Sequence, residues 1–67
     1  MKMTKDEKQK KIIELRRNMN MNRKEFSEYF EIPYRTVQDW ELGKREMPDY
    51  LLRLMSYKAR MDKKIEQ

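Results

Sequence analysis

Apolar residues along the chain recur three and four positions apart, and no stretch alternates polar and apolar side chains over a useful length. That pattern predicts helices and no strands. Thr4-Lys5-Asp6-Glu7 is a capping-box sequence, in which a hydroxyl and a carboxylate each satisfy a free backbone N–H. A helix over about 5–19 follows, with Ile12, Ile13, Leu15 and Met19 as its apolar side. Its first two turns are nearly all Lys, Asp, Glu and Gln, and are expected to fray or to project from the core. Asn18-Met19-Asn20-Met21-Asn22 reads as a turn, because Asn tolerates left-handed backbone and competes for helix hydrogen bonds. Asn22 and Glu25 repeat the capping pair and open a short second helix at Arg23, where Phe26, Tyr29 and Phe30 form one aromatic stripe. Glu31-Ile32-Pro33 interrupts it, since the residue before a proline is pushed out of the helical region. A third helix therefore starts at Pro33 or Tyr34 and stops at Gly43, a natural left-handed residue. Pro48-Asp49 opens a fourth, with Leu51, Leu54 and Met55 inward and Tyr50, Leu52 and Tyr57 nearby; Ala59 to Gln67 could continue it.

The fold expected is all-α, four or five short helices packed as one unit. Residues 1–9 are a charged extension or frayed helix start, 10–58 the globular part, and 59–67 a helical tail. With 67 residues there is room for one small core, because a chain of this size buries only about 60% of the surface it exposes when unfolded. The absence of cysteine and histidine removes disulfides, zinc sites, thiol nucleophiles and imidazole proton shuttles. Ser27 and Ser56 have no histidine to activate them. Neither an enzymatic activity nor a cofactor or metal is expected. No apolar run approaches the roughly 18–20 residues of a membrane span, and the N-terminal stretch is too charged for a secretory signal. A cytoplasmic binding module with no membrane partner is the class that remains.

Charge narrows the partner. The formal net charge is +5, which favours a polyanion. The excess lies mostly in residues 1–22, with seven cations and three anions, whereas residues 23–45 carry five of each. Any polyanion affinity of the middle segment must come from placement.

Placement is the informative feature of residues 23–42. Two helices of about two turns, separated by a tight break, have the spacing of a helix-turn-helix. On a wheel of about 100° per residue, Val37, Trp40, Thr36 and Pro33 gather on one side of the second helix. Tyr34, Arg35, Gln38 and Leu42 gather opposite, with Asp39 at the edge. A polar face of that kind can read bases: Arg donates two bonds to guanine O6 and N7, Gln pairs with adenine N6 and N7, and a carboxylate accepts from cytosine N4.

Arg23 through Gly43, ending in Trp40-Glu41-Leu42-Gly43, resembles the lambda-repressor-like (XRE/Cro) helix-turn-helix family. Ile12, Leu15 and Arg16 are similar to that family's first helix, and Pro48 through Leu54 to the helix after its motif, so the resemblance covers about residues 10–58. It implies a compact DNA-binding domain in which Tyr34, Arg35, Gln38, Asp39 and Leu42 face bases, and Arg23, Tyr34, Lys44 and Arg45 face phosphates. It implies a structural role for Glu41. Arg23 stands where the family usually has Gln, Ser27 where it has Ala, Pro33 where it has a Ser cap, and Glu31 where it has the turn glycine. A left-handed backbone at Glu31 would cost about 1–2 kcal/mol.

The function expected is a transcriptional regulator of double-stranded DNA, a repressor acting as a homodimer, because one short helix reads few base pairs. Tyr57, Met61 and Ile65 form the expected dimer contact. The alternative is an antitoxin or inhibitor that binds a partner protein, with DNA binding secondary; small stand-alone members of the family often come from phages, mobile elements or toxin–antitoxin operons. Trp40, Phe26, Phe30, Val37 and Leu54 are expected in the core. Tyr50 and Tyr57 fit core, dimer seam or open surface equally from sequence. Lysines 2, 5, 8, 10 and 11 read as a solvated face.

Overall fold

The computed structural model describes residues 4–62, and among them it contains four helices and no strand. Helix α1 (Lys5–Asn18) begins where the sequence places its cap: Thr4 accepts from the Glu7 backbone N–H at 3.1 Å, and the Glu7 side chain accepts from the Thr4 N–H at 2.8 Å. Helix α2 (Arg23–Tyr29) begins with the same reciprocal pair, Asn22 with Glu25. Helices α3 (Tyr34–Leu42) and α4 (Asp49–Met61) each follow a proline and have no side-chain cap. A proline there presets φ without donating an N–H that the helix would leave unused.

The first three helices stop by one device. An N–H two or three residues past the helix reaches back five positions: Met21 to the Arg16 carbonyl, Ile32 to Ser27, and Lys44 to Asp39. Each closure needs a left-handed residue just before that donor. Asn20 (φ 57°), Glu31 (φ 55°) and Gly43 (φ 77°) supply it. Only the last is a glycine, so Glu31 carries the strain that its position in the sequence foreshadows.

Ile12, Leu15, Met19, Phe26, Val37, Trp40, Met47, Leu52, Met55 and Ala59 form a single buried core. Helix α3 packs against both α1 and α2, and α1 also supports α4. Phe26 and Phe30 meet edge to face at 4.8 Å, as do Tyr29 and Phe30, but Phe30 and Tyr29 are only half-buried.

Two expectations change. Leu54 lies outside the core at 59% exposure, and the inward row of α4 is Leu52, Met55 and Ala59. Helix α4 has apolar residues on both of its sides, so spacing alone does not choose which one docks. The second turn of α1 is anchored rather than projecting. Lys8 is buried, its ammonium 2.9 Å from Glu46 and 2.7 Å from Asp49. Those two hydrogen bonds, Asp49's first, raise the Lys8 pKa above its ordinary 10.5. Beside it the Gln9 amide donates to the Glu41 carbonyl at 2.8 Å and lies over Gly43, where an added Cβ would sit 3.0 Å from Gln9 Oε1.

Candidate nucleic-acid interface

Helix α3 is held by what it hides. Val37 and Trp40 are buried in the core, and Glu41 beside them is buried as well. A carboxylate taken out of water needs compensation, and Glu41 receives it from two helices. Arg16 at the end of α1 donates to both carboxylate oxygens, from Nε at 2.7 Å and Nη2 at 3.1 Å, and its Nη1 reaches the Met21 carbonyl at 3.2 Å. Arg23 at the start of α2 donates from Nε at 3.2 Å. The fork-shaped Arg16 contact is the strong geometry for a guanidinium and a carboxylate. One buried anion thus fixes the end of α1, the start of α2 and the end of α3 relative to one another.

With that side locked, α3 turns its other face outward. Tyr34 and Leu42 are about half exposed, at 46% and 50%. Arg35 is exposed, while Gln38 and Asp39 are half-buried at the margins of the face. Lys44 and Arg45 are exposed in the connector immediately after Gly43. Tyr34, Arg35, Gln38, Asp39 and Leu42 therefore share one helix face, and the Lys44-Arg45 pair follows at its C-terminal end. Arg23 is separate from them in one respect: its Nε is committed to Glu41, and its side chain keeps 29% exposure. Of the expected dimer contact, Tyr57 and Met61 are exposed at 59% and 64%, and Ile65 lies outside the described residues.

The neutral charge of residues 23–45 conceals a segregation. Glu41 is consumed internally, and Glu25 is tied to the Asn22 backbone. Glu28 and Glu31 belong to α2 and its corner. The α3 face and connector carry Arg35, Lys44 and Arg45 against Asp39 and Glu46, and Glu46 is paired with Lys8, so this side keeps a cationic excess although residues 23–45 do not.

Sequence reading missed Arg16, Lys8 and Gln9 as positioning residues. The signal for Arg16 was present: Glu41 falls one turn after Val37 on the inward side of α3, and an inward carboxylate demands a cation from another element. Lys8 gave no such signal, since it sits in a run of lysines. Among the described residues no group of His, Cys, Asp or Glu is arranged to hold a metal ion, and no helix is long and apolar enough to cross a membrane. In comparisons with known proteins, no family model, no curated protein and no solved structure matches this chain.

Proposed function

We propose that the chain is a sequence-specific regulator that binds double-stranded DNA, with the outward face of α3 in the major groove, and represses by occupying its site. The observation that carries this reading is the sidedness of α3. Val37, Trp40 and Glu41 are buried, and the opposite face offers Tyr34, Arg35 and Gln38 on a scaffold fixed by three helices. The major groove admits one α-helix, and a polar face held rigidly can choose between hydrogen-bond patterns there. Arg35 and Gln38 read bases, with Asp39 and Leu42 beside them; Lys44, Arg45 and the exposed side of Arg23 contact phosphates, and Tyr34 serves either. The open α3 start at Pro33, which no side chain caps, adds backbone N–H donors suited to a phosphate. The resemblance of Arg23 through Gly43 to the lambda-repressor-like motif supports the same assignment.

Selection of bound sequences from random duplex DNA, followed by titration of the best one, tests it. Neutralising several phosphates makes affinity fall by orders of magnitude between about 50 and 200 mM salt. Arg35→Ala or Gln38→Ala should weaken the selected site by about 1–3 kcal/mol and relax choice at one base pair. Lys44→Ala or Arg45→Ala should weaken all sequences alike and flatten the salt dependence. Recovery of no preferred sequence, or an affinity indifferent to salt, rules the reading out.

A further inference from the structure

The outer face of α4 carries an apolar row that the fold does not use. Tyr50, Leu54, Tyr57 and Met61 are exposed at 61%, 59%, 59% and 64%, and they are spaced four, three and four residues apart. That is the alternation of a coiled-coil seam. Four large side chains exposed to this degree present on the order of 500 Å² of contiguous apolar surface, the size at which a monomer's largest patch is commonly functional. Tyr50, Leu54 and Tyr57 line an open groove of about 490 Å³ together with Arg53 and Arg60.

The residues beside the seam indicate what fits it. Arg53 and Arg60 occupy equivalent places one heptad apart on one side, and Lys58 lies on the other, where Asp62 pairs with it at 3.2 Å. In a coiled coil those flanking positions meet the partner's flanking positions and set its identity. A second copy of α4 would bring Arg53 and Arg60 against Arg53 and Arg60 if antiparallel, or against Lys58 if parallel. Both arrangements oppose like charges.

We infer that the row Tyr50–Leu54–Tyr57–Met61 is a docking seam for an acidic amphipathic helix of a different protein, one with apolar residues at seam spacing and Asp or Glu at the flanks. This row contains none of the outward residues of α3, and the inference goes beyond DNA recognition. It reassigns Tyr57 and Met61 from a contact between copies to a contact with a partner.

The probe is a synthetic three-heptad peptide with Leu at the seam positions and Glu at the flanks, titrated against the whole protein by calorimetry. Glu at both flanks keeps such a peptide from pairing with itself at neutral pH. It should bind with negative heat-capacity change, and the same peptide with Lys at the flanks should bind at least about tenfold more weakly. Arg53→Glu with Arg60→Glu should reverse that preference. Leu54→Asp and Tyr57→Asp should abolish binding while leaving the melting temperature and the DNA affinity unchanged, which keeps this test separate from that of the α3 reading. Equal binding of the two peptides, binding of neither, or a dimer of the protein alone that Leu54→Asp dissociates overturns the proposal.

Discussion

Helices α3 and α4 are both amphipathic and both lie over the same core, yet they leave opposite surfaces to solvent. Helix α3 buries Val37 and Trp40 and exposes Tyr34, Arg35 and Leu42; α4 buries Leu52, Met55 and Ala59 and still exposes a continuous row of Tyr50, Leu54, Tyr57 and Met61. The difference lies in how each is fastened. Helix α3 is clamped from within by Trp40 and by the Glu41–Arg16–Arg23 cluster. Helix α4 is fastened at its ends, by Lys8 with Asp49 near its start and by Tyr29 with Asp62 just past its end. Rigid presentation of a polar face suits reading a groove, whereas a surplus apolar row suits being covered.

The largest effect should come from removing the clamp's apolar half. Trp40→Ala should cost about 3–5 kcal/mol, as truncation of a buried aromatic does, and a domain this small holds little more than that in total. Urea denaturation is expected to find the variant largely unfolded in buffer. A variant that keeps a cooperative transition near the wild-type midpoint would mean that α3 is not anchored by its inward face.

The charged half of the clamp is next. Glu41→Leu leaves Arg16 and Arg23 partly buried with no anion between them, and breaking a buried pair from one side costs about 3–5 kcal/mol. Arg23→Ala removes only the longer, single contact and should cost about 1 kcal/mol or less. Comparing the two midpoints sharpens the assignment of Glu41 as the hub. Equal losses would place the weight on Arg23 instead.

Much of this was legible from local chemistry. Both capping boxes are four-residue signals, and Thr4, Glu7, Asn22 and Glu25 act within their own helices. The inward Val37 and Trp40 and outward Tyr34, Arg35 and Leu42 follow from a wheel, because α3 has one apolar side. Tertiary partnerships were not legible. Glu41 finds Arg16 twenty-five positions away, and Lys8 finds Glu46 thirty-eight away; no short window contains both members. Leu54 was misplaced for a different reason. Leu51, Leu52, Leu54 and Met55 offer two apolar sides, and packing against α1 settles which one is buried.

The corner between α2 and α3 offers a smaller, opposite-signed test. Glu31 sits at φ 55°, where a side chain costs about 1–2 kcal/mol. Glycine relieves that strain but loses more chain entropy on folding, about 0.5–1 kcal/mol. Glu31→Gly should therefore stabilise by up to about 1 kcal/mol, which raises the melting temperature by a few degrees in a domain of this size. Asn20→Gly, at φ 57°, should gain less, because Asn already tolerates the conformation. A loss of stability in Glu31→Gly would show that the Glu31 side chain makes a contact worth more than its strain.

Alkaline pH should separate the two helices with the least perturbation of all. Lys8 is raised above 10.5 by its hydrogen bonds to Asp49 and Glu46. Tyr29 is pushed up to about 12, first by loss of solvent and then by its hydrogen bond to Asp62. A raised folded-state pKa means that the stabilisation is complete below the unfolded value and is lost as pH climbs through the folded one. For Tyr29 that window runs from about 10 to 12, and for Lys8 it opens near 10.5. Both groups hold α4, and neither belongs to the Glu41–Arg16–Arg23 cluster that holds α3. Melting temperature followed from pH 8 upward should therefore fall above about pH 10, and the fall should be shallower in Tyr29→Phe and in Lys8→Met, which have no proton to lose at those sites. Matching slopes in all three proteins would mean that the alkaline loss arises away from the ends of α4.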